Sequence, residues 1–434
     1  MNRKKLIDSI IIGFALFAMF FGAGNLILPP ILGLLSGASW VSSILGFAIT
    51  SVFATFLGIL AVVVSGDNFS DVGNRINPIF SIVIASICML SIGPLVAIPR
   101  TAATTFEVGV QSIFPEAKPI VSSIVFFSLT FILSLSSTKV VNIIGKFLTP
   151  VLLVILILLI INGIVNPINN DITHLKTSAE AFVSGFREGY QTMDLLASFI
   201  MAGIIIAAIK AKGYIKEKDK KQVTIISAAI AMSFLLLIYA GLVYLGATSG
   251  YDASGAVQRT DLLLHISNGI LGANGTLLLA ICVGLACLTT SIALTTAVSD
   301  YFSKLSNNFL SYRLLVVIVC LISGYLAVHG VDTIIDFAFP FLAVIYPIAV
   351  CMAIYIVFFG KLITDKRPYI AAISITFVIA VIGLLGNLGI AEASMHKILN
   401  LIPLNKYEIP WLLPSFVAFI AFAVATRNKS SEIL

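Results

Sequence analysis

Long apolar stretches, separated by short polar connections, run along the whole chain. No charged residue occurs from Ser9 to Gly66, and comparable stretches recur up to the carboxyl terminus. Since a helix needs about 20 apolar residues to cross the hydrocarbon core of a bilayer, the pattern predicts an all-α polytopic membrane protein with about twelve transmembrane helices, called spans 1 to 12. Their predicted centres are Phe20, Phe53, Met89, Phe127, Leu156, Ile200, Phe234, Leu285, Val319, Val350, Phe377 and Ala418.

Span 1 has weak helix formers at its centre. The stretch FALFAMFFGAGNLILPPILGLL (residues 14–35) places Gly22, Ala23, Gly24 and Asn25 ahead of two consecutive prolines. Irregular backbone survives in a membrane only where it faces protein or a water-filled cavity. A pair of glycines also suits close packing between two helices, but the asparagine and the prolines favour a break in span 1.

Span 6 shows a similar interruption. In FREGYQTMDLLASFIMAGIIIAAI (residues 186–209), a polar joint separates the helical pattern SAEAFVSGF from an apolar half-helix. The residues of this joint are Tyr190, Gln191, Thr192, Met193 and Asp194. Interrupted spans at corresponding places in two halves point to the midplane binding site of a transporter.

The two interrupted spans suggest how the chain is organised. We expect a single transmembrane transporter domain over residues 1–434. Within it, a first five-helix repeat covers residues 1–165, a second covers 178–360, and two additional helices cover 368–427. The predicted fold is therefore a 5+5 inverted repeat with spans 1 and 6 broken.

Broken helices offer backbone groups to a ligand. The half-helix that starts after Gly24 has free N–H groups and a partial positive charge, which suit a carboxylate. The half-helix before the break ends in free carbonyl groups near Ala18 and Phe21, which suit a small cation. Phe20 and Met193 add apolar surface for an aliphatic side chain.

Span 8 carries hydroxyl groups in an otherwise apolar sequence, LACLTTSIALTTAVSDYF. Thr289 and Thr290 follow Ala286 by three and four residues, so two hydroxyl oxygens and a carbonyl oxygen lie on neighbouring positions. Hard cations prefer oxygen ligands of this kind. Alternatively, the hydroxyl groups bond only to carbonyl groups of their own helix.

Charged residues inside spans are costly, and each is a hypothesis about function. Asp194 could bind an ammonium group, ligate sodium or carry a coupled proton, or it could cap the second half of span 6. Arg100 and Glu107 lie near the predicted outer end of span 3. They are candidates for a gate ion pair, with an anchor at the membrane interface as the alternative for Arg100.

Composition and charge support membrane residence and give an orientation. Hydrophobic residues make up 59% of the chain and charged residues 11%. Most of the 26 lysines and arginines face the cytoplasm if both termini are cytoplasmic, as the positive-inside rule favours. The amino-terminal basic residues then belong to a retained first span rather than to a signal peptide. The five cysteines have no paired spacing and are expected to be small core residues.

Three motifs carry a resemblance to a known family. FAMFFGAGNLILPP, GPLVAIPRTAATTFE and GYQTMDLLA (residues 17–30, 93–107 and 189–197) resemble the BrnQ-type branched-chain amino acid carriers, the leucine/isoleucine/valine:cation symporter family. This family is similar to the wider amino acid–polyamine–cation superfamily with the LeuT fold. The resemblance implies import of leucine, isoleucine and valine across the bacterial cytoplasmic membrane, coupled to entry of sodium or protons.

The resemblance also implies roles for residues. The N–H groups at the break of span 1 would hold the substrate carboxylate, and carbonyl groups at the joint of span 6 would face its ammonium group. A sodium site would use Ala18, Phe21, Ala286, Thr289 and Thr290. Apart from the coupling ion, no cofactor, nucleic acid or obligatory protein partner is expected.

Other functional classes fit less well. The sequence contains no carbonyl-filter repeat of the kind that indicates a channel. It also contains neither a paired histidine–carboxylate motif nor a phosphate-binding loop, either of which would indicate an enzyme. An amino acid sensor or a passive facilitator with the same pocket stays an alternative.

Overall fold

The computed structural model describes the backbone of residues 3–67, 69–74, 76–135, 139–173 and 175–431. These residues form helices joined by turns and loops, and no strand occurs among them. The prediction of an all-α chain is therefore confirmed. The described ranges contain α1 (Arg3–Phe20), α2 (Ala23–Ser36), α3 (Trp40–Ala48), α4 (Ala54–Ser65), α5 (Phe69–Asn74), α6 (Pro78–Leu90), α7 (Ala97–Thr104), α8 (Gln111–Ile113), α9 (Pro119–Leu135), α10 (Lys139–Val165), α11 (Ser178–Glu188), α12 (Asp194–Ala211), α13 (Glu217–Ala247), α14 (Arg259–Leu305), α15 (Tyr312–Ala327), α16 (Val331–Phe359), α17 (Arg367–Asn387), α18 (Glu392–Asn400) and α19 (Leu412–Ser431).

The helices group into the predicted spans. Within the described ranges, seven continuous helical stretches are long and apolar enough to cross a membrane, and four shorter helices are apolar as well. Span 1 consists of α1 and α2, span 2 of α3 and α4, span 3 of α6 to α8, and span 6 of α11 and α12. Span 8 is the part of α14 that follows a bend at Gly272, where φ is 69°.

Span 1 is broken, as predicted, but slightly earlier in the chain. The helix α1 ends at Phe20, and α2 begins at Ala23 after an extended Gly22 with φ −115° and ψ −171°. Gly24 and Asn25 belong to the first turn of α2. No side chain caps this turn, so N–H groups at the start of α2 lack the usual capping partner.

Span 6 is interrupted by a tight turn. A 3₁₀ segment, Gly189–Thr192, follows α11, and Met193 then adopts a left-handed conformation with φ 59° before α12 begins at Asp194. A methionine in this region is sterically strained, and such residues concentrate at functional sites. Asp194 is therefore the first residue of a helix rather than part of the irregular joint.

Span 3 contains a third irregular segment, which the sequence patterns did not predict. Its π-helical stretch Ser91–Leu95 includes Pro94 and a non-helical Gly93, with φ −94° and ψ −123°. A helix interior loses a hydrogen bond at proline and bends there. The chain continues as α7 at Ala97. Because of the bend, α7 enters the middle of the protein in a direction different from that of α6.

Ion pairs connect helix ends on the side of the protein that carries the amino terminus. Lys5 forms an ion pair with Asp219 at 2.7 Å. Asp67 forms ion pairs with Lys220 at 2.6 Å and with Lys210. Burial raises the pKa of Asp67, but the two lysine hydrogen bonds together outweigh burial and hold it below its ordinary value of 3.8. These contacts attach the start of α13 to α1, and the end of α12 and the start of α13 to the end of span 2.

Glycines allow α2 and α13 to pack with their backbones in contact. A Cβ atom at Gly33 would lie 2.8 Å from the amide nitrogen of Ala247, and one at Gly246 would lie 2.7 Å from the carbonyl carbon of Pro30. Small residues permit such close approach in membranes, where van der Waals packing is a main source of helix association. The second half of span 1 is thus held firmly against span 7.

We expect Gly33→Ala and Gly246→Ala each to destabilise the protein by about 1–3 kcal/mol, because the added methyl group meets backbone atoms that cannot rotate away. The measurement is the melting temperature of the detergent-solubilised protein. Gly255→Ala is the control, since a Cβ atom at position 255 meets nothing within 4 Å. Equal melting temperatures for all three variants would contradict the packing described.

Candidate functional site

A buried carboxylate connects the broken spans. Asp194 is 3% exposed, and its Oδ2 atom accepts hydrogen bonds from Asn25 Nδ2 at 2.8 Å and from the Tyr239 hydroxyl at 2.9 Å. Asn25 Nδ2 also lies 3.1 Å from Oδ1. Hydrogen bonds to a charged group are stronger than those between neutral groups, so this network fixes α2, α12 and α13 relative to one another.

The network does not make Asp194 a helix cap. The residue before α12 is Met193, whose side chain makes no capping bond, and the backbone N–H of Asp194 donates to Thr192 Oγ1 at 3.3 Å. Thr192 Oγ1 itself donates to the carbonyl oxygen of Gly189 at 2.9 Å. The capping alternative is therefore not realised, since the Asp194 side chain points away from its own helix and toward span 1.

A cavity lies between the breaks of spans 1, 3 and 6 and the middle of span 8. Its empty volume is about 440 Å³, including the part that opens toward solvent. The lining residues are Met19, Phe20, Gly22, Ala23, Gly24, Asn25, Ile92, Ala97, Arg100, Thr101, Thr192, Met193, Asp194, Ala197, Met201, Thr290 and Leu294. Most of its surface is apolar, and the polar groups come from the start of α2, α7 and the start of α12.

Several of the predicted site residues do not line this cavity. Tyr190 stacks on Tyr346 with ring centroids 4.4 Å apart, and Tyr346 donates its hydroxyl hydrogen to the carbonyl oxygen of Thr50 at 2.6 Å. This arrangement packs span 6 against spans 2 and 10. The other predicted residues that lie outside the lining are Ala18, Phe21, Glu107, Gln191, Ala286 and Thr289.

Arg100 lies at the cavity, so the prediction that it sits near the outer end of span 3 is wrong. Its side chain is 3% exposed, and Nη1 donates to the carbonyl oxygen of Gln191 at 2.8 Å. The irregular segment of span 3 is the physical reason. It redirects α7 so that the first turn of this helix meets the joint of span 6.

Glu107 has other partners than Arg100. Its carboxylate accepts hydrogen bonds from Thr260 Oγ1 at 2.8 Å and from the backbone N–H of Val331 at 2.9 Å. The predicted ion pair between Arg100 and Glu107 is therefore not formed, because the seven positions between them along the helix correspond to about 10 Å and their side chains belong to different networks.

A second ionic group lies near Glu107, on the side opposite the amino terminus. Arg259 pairs with Glu188 at 3.2 Å and also contacts Asp332. These residues come from α14, α11 and α16, so the group holds three helices together. We call Arg259, Glu188 and Asp332 the outer ionic group.

The hydroxyl groups of span 8 differ from each other. Thr289 Oγ1 donates to the carbonyl oxygen of Ala286 at 2.8 Å, which is the local bond expected of threonine in a membrane helix. Thr290 lines the cavity, and a Cβ atom at Gly22 would lie 3.8 Å from its methyl group. Span 8 therefore reaches the break of span 1 through Thr290.

Comparison with known proteins identifies the family. The sequence model described as "Branched-chain amino acid transport protein" matches residues 5–429. The branched-chain amino acid permeases BrnQ and BraB of Bacillus subtilis are each 36% identical to the chain, over 433 and 429 residues. The alignments cover 97% and 96% of this chain and 98% and 95% of the two relatives.

The chain belongs to this family. Its members are transport proteins rather than enzymes, as the sequence predicts. The family resemblance drawn from the motifs of spans 1, 3 and 6 is confirmed.

Solved structures of distant transporters share the fold of this family member. An inward-facing conformation of Mhp1 is similar with a TM-score of 0.63 and 11% identity, covering 97% of this chain and 91% of that one. MhsT in complex with L-phenylalanine gives a TM-score of 0.54 and 17% identity, with 94% and 97% coverage. The LeuT-like fold is confirmed, and the chain is a multi-pass membrane protein.

Sequence patterns missed part of the site. Tyr239 lies in the continuous helix α13, and its sequence surroundings, LLIYAGLVY, resemble any apolar span. Met201 and Leu294 also line the cavity from regular helices. A tyrosine hydroxyl in a membrane needs a hydrogen-bond partner, and this was the one available signal for Tyr239.

We expect Tyr239→Phe to lower the melting temperature of the solubilised protein, by an amount corresponding to about 1.5–3 kcal/mol, because a buried carboxylate loses a donor. Tyr244→Phe, five residues along the same helix, is the matched control. Its ring packs against Trp40. If both substitutions lower the melting temperature equally, the loss does not arise from the hydrogen bond between Tyr239 and Asp194, since both variants keep the ring and lose only a hydroxyl group.

Proposed function

We propose that this protein is a secondary active transporter that imports leucine, isoleucine and valine, coupled to symport of sodium or protons. Its setting is a bacterial cytoplasmic membrane, with both termini in the cytoplasm. The observation that carries the proposal is the cavity between the broken spans, which combines helix-end N–H groups, a buried carboxylate and an apolar lining. Each of these features matches one part of a branched-chain amino acid.

The substrate carboxylate suits the start of α2. Ala23, Gly24 and Asn25 line the cavity in the first turn of this helix, where N–H groups point out of the helix end and the helix dipole favours negative charge.

The ammonium group and the side chain suit the opposite wall. The Asp194 carboxylate lines the cavity close to the strained residue Met193. Met19, Ile92 and Leu294 supply flexible and branched apolar surface for an aliphatic side chain. Since one buried methylene group contributes about 0.8 kcal/mol, such a surface favours leucine, isoleucine and valine over alanine.

Two groups are candidates for coupling. Thr290 at the break of span 1 supports a sodium site that uses hydroxyl and carbonyl oxygens. In that site Thr289 and Ala286 would have to exchange their mutual hydrogen bond for the ion. Asp194 supports proton coupling, because a carboxylate facing a membrane cavity can change its protonation with the conformation of the protein.

Transport requires that both sides of the cavity open in turn. The outer ionic group joins α11, which belongs to broken span 6, to α14 and α16. It therefore holds the outer side closed, and its contacts must separate for the substrate to enter from outside. Binding of the coupling ion would favour the outward-facing conformation by differential affinity.

We expect proteoliposomes to accumulate labelled leucine when a suitable cation gradient is imposed. Sodium and proton gradients are applied separately. Accumulation under sodium alone, lost in Thr290→Val, supports the cation site of spans 1 and 8. Accumulation under a proton gradient alone, lost in Asp194→Asn, supports Asp194 as the proton carrier. If neither gradient drives concentrative uptake, the symporter proposal is wrong and a sensor or facilitator is left.

We expect Arg259→Gln to shift the protein toward the outward-open conformation, because the charge that holds the outer ionic group is lost. A cysteine placed at Ala97, in a background without the native cysteines, reports access to the cavity. An impermeant thiol reagent added outside should label it about 5-fold faster or more. Lys304→Gln, which removes an exposed pair with Asp300, is the control. Equal labelling rates in both variants contradict a closing role for Arg259.

A further inference from the structure

A third broken span reaches the cavity. The irregular segment of span 3 ends at Val96, and α7 carries Arg100 in its first turn. A Cβ atom at Gly93 would lie 2.7 Å from Val298 Cγ2, so this segment packs directly on span 8. The bend and its packing bring a guanidinium group to a depth in the membrane where an arginine is costly.

The guanidinium group touches both of the other broken spans. Nη1 donates to the carbonyl oxygen of Gln191 in span 6 at 2.8 Å. On the other side, a Cβ atom at Gly24 of span 1 would lie only 2.7 Å from Arg100 Cζ. Position 24 must therefore be glycine for Arg100 to lie against the first turn of α2, where the substrate carboxylate is proposed to bind.

The charge of this group is not balanced by a direct ion pair. Within the described part of the chain, Arg100 has no carboxylate within 4.0 Å, and its buried Nε atom has no hydrogen-bond partner. Asp194, which lines the same cavity, takes its hydrogen bonds from the neutral groups of Asn25 and Tyr239. The cavity thus contains a guanidinium group and a carboxyl group, neither of them in a direct ion pair.

Buried charges are stable only when they are paired or well hydrogen-bonded. An α-amino acid is a zwitterion, and it can bring a carboxylate to Arg100 and an ammonium group to Asp194 in one step. Arginine suits the first contact because its planar donors match a carboxylate. An amine with the same side chain would satisfy Asp194 but add a second positive charge beside Arg100.

We infer that Arg100 binds the substrate carboxylate together with the N–H groups of α2, and that it makes the carrier select α-amino acids over amines of the same shape. This inference rests on the proposed function, because it assigns a residue within the same substrate site. It gives Arg100 a binding role in place of the gate role predicted from the sequence.

The test compares two ligands that differ only in the carboxylate, L-leucine and 3-methylbutan-1-amine. Each is titrated against purified protein, and its affinity is taken from the rise in melting temperature. In Arg100→Gln, which keeps a planar hydrogen-bond donor on a shorter side chain but loses the charge, leucine should bind about 30-fold more weakly or worse. The affinity for the amine should stay unchanged or rise, because a like charge has been removed.

A merely structural role for Arg100 predicts a different result. If the residue only supports the joint of span 6, the affinities for leucine and the amine should fall together, and that result would overturn the inference. Unchanged leucine affinity would overturn it as well. If the wild-type protein binds no branched-chain amino acid, the proposed function itself fails, and this outcome is distinct from both.

A second variant protects the test against misfolding of Arg100→Gln. Gly24→Ala displaces the guanidinium group sterically and leaves every charge in place. Gly24→Ala should also weaken leucine binding. Arg100→Lys keeps the charge but loses the planar fork. In the double variant, the loss of leucine affinity should be much smaller than the product of the two single losses. Independent, multiplicative effects of the two substitutions would contradict a shared contact with the carboxylate.

Discussion

A membrane gives unpaired backbone groups no water to bond to, and this constraint governs the centre of the protein. Three spans nevertheless leave regular helical geometry, at Gly22, Gly93 and Met193, and all three interruptions meet at one cavity. There the freed N–H and carbonyl groups face side chains and this cavity instead of lipid. The Asn25–Asp194–Tyr239 network holds the pieces of two broken spans in register.

The same geometry explains how binding and movement are linked. Each side of the cavity belongs to a different group of helices, so a zwitterion that contacts α2, α7 and α12 at once draws these helices together. Contacts such as Glu107 with Thr260 and Val331 lie farther toward the side opposite the amino terminus, and Glu107 belongs to span 3, which also contains α7. A ligand can shift a conformational equilibrium only through such differences in contact between states.

Much of the fold follows from sequence patterns because the membrane simplifies the physics. Apolar length predicts the spans, and the glycine, asparagine and polar clusters predict the breaks at Gly22 and after Gly189. The position of Arg100 was not predictable in the same way. Its depth depends on a π-helical segment at Ser91–Leu95, whose effect on direction is set by packing against span 8. The role of Tyr239 was not predicted for a similar reason, because a regular helix gives no local sign of which side chain contacts a carboxylate on another helix.

The most direct test of the account is an experimental structure of the protein in lipid nanodiscs with L-leucine bound. Leucine is expected between the first turn of α2 and Asp194, with its carboxylate within hydrogen-bonding distance of the Gly24 backbone and its isobutyl group against Met19, Ile92 and Leu294. Leucine bound elsewhere, for example in a second cavity, which His265 and Asn268 line, with the first cavity unoccupied, would contradict this binding mode.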